Sequence, residues 1–148
     1  MGKEELKQKI IELVNTAQLV NTAQLGTVAT VTHNKPWARY MVIRHDEELS
    51  FYTSTFAHSR KVEQIQNNNN IHVVIGGDPH NWKAPYLQIE ARAELLSDPQ
   101  KKGKYWEDML TQYFTGPQDP NFIVIKILPT LIEYVDPNTH KPQIYKVD

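Results

Sequence analysis

From Tyr86 to Leu95 the chain alternates without a break. Leu87, Ile89, Ala91, Ala93 and Leu95 fall on one side, and Gln88, Glu90, Arg92 and Glu94 on the other. A period of two is the signature of a strand with one covered face and one wet face. Other β-rich runs flank it: Thr27–Thr32, Trp37–Arg44, Leu49–Ser54, Ile71–Ile75, Phe122–Leu128 and Leu131–Val135, the last two parted by Pro129. Turn residues separate them. His33-Asn34-Lys35-Pro36 and His45-Asp46-Glu47-Glu48 join the first three runs into an expected antiparallel meander. Helices interrupt the strand series at only a few joints, which disfavours a doubly wound parallel sheet and favours a barrel or sandwich.

Three helices are expected. Leu6, Ile10, Leu13, Val14 and Ala17 have helical spacing and predict a helix over 3–17. A second runs from about Ser59 to Asn67, stopped by Asn67–Asn70. A third starts with Asp98 as N-cap and Pro99 in the first turn, its apolar side made by Tyr105, Trp106, Met109, Leu110, Tyr113 and Phe114. Within the N-terminal segment 1–25 the hexapeptide VNTAQL occurs twice in succession, at Val14–Leu19 and Val20–Leu25. Six residues turn a helix by roughly 600°, so the copies cannot share a face. One is expected to pack and the other to extend the helix or loop out. The tail 137–148 contains two prolines and is expected to be loosely attached.

The 148 residues suffice for one domain with a core and are too few for two ordinary ones. A net charge of -1 argues against general nucleic-acid binding. Absence of cysteine excludes disulfides, thiolate metal sites and cysteine nucleophiles. No apolar run has the length of a membrane span and no leader pattern is evident, so a cytoplasmic, membrane-free location is the expectation. The six histidines lack metal-site spacing, and no metal is expected.

Two features call for an anion. Alternate residues Trp37, Arg39, Met41 and Ile43 share one face of a strand, which leaves Arg39 as a lone cation among apolar neighbours. A buried guanidinium needs a negative partner. Ser59-Arg60-Lys61 stands at a helix start, where the dipole favours acidic residues. Two cations there suit a helix mouth that holds a phosphate. The ordinary alternative is a solvated basic patch, with Arg39 paired to Glu47 or Glu63. For any one residue that alternative is the better one; for the combination, a phosphate monoester is. Tyr52 and Thr53 end the neighbouring strand and are within reach of the same ligand. Ser59 lacks a surrounding G-x-S-x-G and a positioned base, so it reads as a cap and not as a nucleophile. No catalytic side chain is identifiable.

Arg39-Tyr40-Met41-Val42-Ile43-Arg44, then Tyr52-Thr53, then Ser59-Arg60-Lys61 resembles the flavin mononucleotide signature of the pyridoxamine 5′-phosphate oxidase-like split barrels. The pattern is most similar to their general stress protein 26 group. YLQIEARA at Tyr86–Ala93 and FTGPQDPN at Phe114–Asn121 extend the likeness to about Leu13–Asp136, with one VNTAQL copy as an extra. The resemblance implies a mainly β fold: a six-stranded antiparallel Greek-key split barrel with about three helices, dimeric, with FMN at the interface. It places Arg39, Ser59, Arg60 and Lys61 on the flavin phosphate, the Met41 and Val42 backbone along the ring, and Tyr52 and Thr53 beside it. Arg44, Trp82, Tyr86 and Trp106 are candidates for the substrate side. The pattern departs from the true oxidases: Tyr105 is followed four residues on by Met109 instead of arginine, and their C-terminal tryptophan and arginine segment is missing. A glutamine that contacts flavin in the oxidases falls at Tyr86, and Val135 stands where the stress group often has tryptophan. Oxidation of vitamin B6 is therefore not expected. The implied function is a flavin-dependent oxidoreductase of unassigned substrate. The alternative is a flavin reservoir or sensor without turnover; FAD, F420 or haem are the other ligands considered.

Overall fold

The computed structural model describes residues 1–16, 23–47 and 49–148. Its strands are β1 (Ala23–Thr32), β2 (Lys35–His45), β3 (Phe51–Phe56), β4 (Asn70–Gly76), β5 (Tyr86–Leu96), β6 (Phe122–Val135) and β7 (Gln143–Lys146). Three α-helices lie at the joints, α1 (Lys3–Thr16), α2 (Arg60–Asn67) and α3 (Pro99–Gly103), and a 3-10 turn covers Asp108–Gln112. The strands follow the order β3-β2-β1-β4-β5-β6-β7, and β3 also pairs with β6. That last pairing closes six strands into an antiparallel barrel with β7 outside it. Placing β4 beside β1, after the run β1-β2-β3, gives the Greek key.

Alternation decides which side chains fill the barrel. Val28, Ile43, Phe51, Val73, Ile75, Leu87, Ile89, Ile125, Ile127 and Ile132 are fully buried and touch one another in a single cluster. α1 adds Leu6, Ile10, Leu13 and Val14 to the same cluster. Ala17 of the expected helical face lies outside the described residues. At Gly26 a β-carbon would stand 2.7 Å from the Val74 carbonyl oxygen and 2.8 Å from Ile43 Cδ1, so only glycine lets β1 and β4 approach. The β1–β2 hairpin turns on His33 and Asn34, whose φ values of 50° and 59° are both left-handed, as a tight twisted hairpin demands. Among the described residues no helix is long and apolar enough to cross a membrane.

The expected meander β1-β2-β3 is present and antiparallel, although β2 and β3 pair only at Arg44↔Tyr52 and His45↔Phe51, whereas β3 pairs with β6 from Phe51↔Ile127 to Phe56↔Phe122. Three expectations need correction. Pro129 does not split β6. A bulge opposite Glu90–Ala91 absorbs Thr130, and the strand continues to Val135, since an unpaired extra residue accommodates a proline that cannot donate. The tail is held, because β7 pairs with Leu131–Tyr134 of β6 and buries Tyr145. Finally, the long third helix ends at Gly103. Asp98 caps it as expected, its carboxylate accepting from the Gln100 N–H. Beyond it, the aromatic residues that share a helical spacing reach separate targets instead. Tyr105 meets Tyr52 at 4.7 Å, Trp106 meets Phe122 at 5.3 Å and Phe114 meets Phe56 at 4.9 Å between ring centroids. Buried Lys102 anchors the segment by donating to the Asp119 and Phe122 carbonyls.

The second VNTAQL copy contributes its last three residues to β1, with Ala23 and Gln24 buried, while Val14–Thr16 of the first copy close α1. Residues 17–22 between them lie outside the described residues, and so does the expectation that one copy loops out.

Candidate functional site

Beyond their two shared pairs, β2 and β3 diverge, and a cavity of about 360 Å³ fills the split. Four consecutive residues of β2, Arg39–Val42, and five of β3, Tyr52–Phe56, line it. Successive side chains of a strand point to opposite faces. A wall made of consecutive residues is therefore a strand presented edge-on, with its backbone towards the cavity. Thr53 spans the gap by donating from Oγ1 to the Val42 carbonyl oxygen at 2.8 Å. The segment after α3 forms the opposite wall with Tyr105, Glu107, Met109, Leu110, Tyr113 and Phe114.

One end of the cavity is cationic. Arg39 Nη1 donates to the Val28 and Trp37 carbonyls and to Thr30 Oγ1, and Nη2 to Gln64 Oε1 at 3.0 Å. Thr30 Oγ1 in turn donates a hydrogen bond to Gln64 Oε1, so one buried threonine and one buried glutamine aim the guanidinium. These acceptors are neutral. Among the described residues no carboxylate pairs with Arg39, and neither Glu47 nor Glu63 does so. Lys61 Nζ donates to Thr55 Oγ1 at 2.9 Å, and Thr55 also contacts Ser59 Oγ at 3.2 Å. Burial, then the charge of Arg60, lowers the pKa of Arg39; burial, then the charge of Arg39, lowers that of Lys61. Both shifts disfavour the charged form, burial first and a neighbouring cation second, so positive charge is concentrated at this end of the cavity.

Ser59 is the N-cap of α2, yet its hydroxyl makes no capping hydrogen bond and turns to Thr55 instead. Arg60 stands apart from the cavity wall. Its guanidinium lies over the Trp37 ring at 4.9 Å, beside a second, polar hollow between α2 and the β1–β2 turn.

The other end is charge-balanced. Arg44 Nη2 lies 2.9 Å from Glu107 Oε2, and the Tyr52 hydroxyl donates to Glu107 Oε1 at 3.3 Å. Burial, then the Glu107 charge and hydrogen bond, push the Tyr52 phenol up to about 12. Tyr105 donates to Asp46 at 2.9 Å, and Lys126 pairs with the same carboxylate.

Of the residues singled out in the sequence, Arg39, Met41, Val42, Tyr52, Thr53 and Lys61 line the cavity, as does Arg44. Five others do not: Ser59 and Arg60 stand at the start of α2, and three more lie elsewhere in this chain. Trp82 is 89% exposed in the β4–β5 connection, Tyr86 opens β5 opposite Gly76 and Val135, and Trp106 packs on Phe122. Thr30, Thr55, Gln64 and Glu107 escaped the sequence reading. Gln64 alone carried a signal, as a polar residue between the inward-facing Val62 and Ile65 of α2. Among the described residues no group of three or more His, Asp or Glu stands where it could hold a metal ion.

A six-stranded Greek-key barrel, split between two strands by a cavity with a cationic end, defines the class. The family model described as Pyridoxamine 5′-phosphate oxidase matches residues 15–136, and the chain belongs to that family. It is 30% identical over 142 residues to General stress protein 26 of Bacillus subtilis, covering 96% of each chain. The crystal structure of General Stress Protein 26 from Bacillus anthracis superposes with a TM-score of 0.76 at 30% identity, covering 97% of this chain and 99% of that one. A pyridoxamine 5′-phosphate oxidase-related, FMN binding protein from Nostoc punctiforme shares the fold, with a TM-score of 0.73 at 15% identity over 100% and 92% of the two chains.

Proposed function

We propose that the split binds FMN and that the protein is a flavin-dependent oxidoreductase whose substrate is unassigned. The carrying observation is that Arg39 and Lys61, with no carboxylate partner among the described residues, meet at one end of a cavity walled by strand edges. The cavity volume lies within the range of cofactor pockets. Arg39, Lys61 and the Ser59 hydroxyl would hold the phosphate, with Arg60 adding charge from the rim. The Met41–Val42 backbone edge, Tyr52 and Thr53 would flank the ring. When bound, the flavin would supply the electron or hydride chemistry, and the protein its placement and electrostatics. FMN being bound by the Nostoc protein supports this reading by family.

A homodimer belongs to the same proposal. Tyr40, Val42, Phe56, Met109 and Tyr113 line the cavity and are exposed, Tyr40 to 75%. An exposed apolar rim of this kind supports reading it as a contact surface for a second copy of the chain.

The test is to reconstitute the protein with FMN, remove free ligand by dialysis, and record the absorption spectrum and mass of what remains. Retained flavin in stoichiometric amount is expected; loss of FMN and FAD alike overturns the reading. Reduction of the bound flavin by NADH or NADPH, and reoxidation by an added acceptor, tests the oxidoreductase half. No reduction by any donor would leave a binding protein.

A further inference from the structure

The two ends of the cavity differ in charge for a reason that can be read from single side chains. Arg44 closes β2 at the far end and is only 12% exposed, and Glu107, at 32%, meets it at 2.9 Å. Arg44 is the more buried partner, and the opposed charges of the pair offset one another at this end of the cavity. Both carboxylate oxygens of Glu107 are engaged, one by Arg44 and the other by the Tyr52 phenol. The same Arg44 nitrogen also touches Met109 Sδ at 3.0 Å. Around this unit the walls are aromatic, thioether and aliphatic: Tyr52, Tyr105, Met109, Leu110 and Tyr113. Arg39, on the same strand, has no carboxylate partner among the described residues.

We infer that Glu107 is a specificity-determining residue: by neutralising Arg44 it makes the far end of the cavity admit an uncharged aromatic compound and turn away an anionic one. An anion that approached Arg44 would have to displace Glu107 and leave a carboxylate beside it. An uncharged ring needs no such displacement and finds π-faces and a polarisable sulfur. Selection here works by an element that repels the wrong ligand as well as by contacts with the right one. The inference rests on the cavity being a ligand site, as proposed above.

The probe pair is naphthoquinone and its sulfonate, matched in ring and differing in charge. Binding to the flavin-loaded protein is followed by the change in flavin absorption, and to the flavin-free protein by calorimetry. The wild-type protein should bind the uncharged quinone about tenfold or more tightly than the sulfonate, a difference of roughly one decade in Kd. Glu107→Gln, which keeps the shape and removes the charge, should erase or invert that preference. Adding Arg44→Met to Glu107→Gln removes both charges and should abolish the sulfonate gain. A melting curve for each variant separates a charge effect from loss of fold; if Glu107→Gln alone unfolds, Arg44→Met, which leaves Glu107 as a lone carboxylate, should widen the discrimination against the sulfonate, and an unchanged ratio overturns the inference. The inference is overturned if the wild-type protein binds neither quinone, if Glu107→Gln keeps the wild-type preference, or if the sulfonate gain survives without Arg44. Failure to hold flavin would overturn only the flavin reading, because the dependence on Arg44 is still measured by calorimetry.

Discussion

Arg39 and Arg44 share one strand and meet opposite electrostatic fates. Arg39 is held by carbonyls, Thr30 and Gln64, which fix its direction and leave its charge; Arg44 is cancelled by Glu107. Around Arg39 the two neighbouring cations are not equivalent. Lys61 faces the cavity through Thr55, whereas Arg60 is spread over Trp37. Lys61→Ala should therefore raise the Kd for FMN by roughly 10- to 100-fold, the value of one charge-assisted hydrogen bond. Arg60→Ala should raise it about threefold or less, since a rim charge acts through solvent. A fluorescence titration of both variants checks this, and equal losses would contradict it. Asp46 offers a second test. Burial alone would raise its pKa, but hydrogen bonds from Lys126 and Tyr105 and the Lys126 charge outweigh this and hold it below the usual range. A depressed carboxylate adds stability that is full above its unfolded pKa of about 3.9 and is lost as pH falls through the folded value. The melting temperature of the wild-type protein should accordingly fall more steeply below about pH 4 than that of Asp46→Asn. Parallel curves would remove Asp46 from the account.

Among the elements, the duplicated hexapeptide shows one sequence in two settings. Val14–Thr16 close a helix and Ala23–Leu25 open a strand, because Val14 is buried by the barrel end and Ala23 and Gln24 by the sheet. Removing residues 17–22 leaves a single VNTAQL joining α1 to β1 directly. This deletion should yield soluble protein with a melting temperature within about 5 °C of the parent, a change of roughly 1 kcal/mol or less for a chain of this size. Thermal unfolding checks it; insoluble protein would show that both copies are needed. The segment after α3 resists sequence reading for a related reason. Tyr105, Trp106, Leu110 and Phe114 are apolar at helical intervals, but Gly103 weakens the helix by about 1 kcal/mol relative to alanine, and the rings of β3 and β6 compete for each aromatic residue. Aromatic spacing showed that these residues are covered without showing by what.

At the scale of the molecule, the barrel leaves its split open to one side, rimmed by exposed Tyr40, Val42 and Tyr113. If a second copy covers that rim, Val42→Glu should give a monomer in sedimentation experiments and should also lose FMN, because the same strand edge serves both. A dimer that persists in Val42→Glu would exclude this surface. The strand character of β1 to β5, the hairpin turns, the start of α2 and the nearness of Arg39 to Lys61 were legible in the chain, whereas β7 and the continuity of β6 were not. Alternation, turn chemistry and helix-start preference are local, and each is encoded within a few neighbouring residues. The closure of β3 onto β6, the roof over the cavity and the pairing of Arg44 with Glu107 join residues far apart in sequence. No short stretch encodes such contacts: they depend on which edges meet when the barrel closes, and that choice is settled by burying the whole core at once.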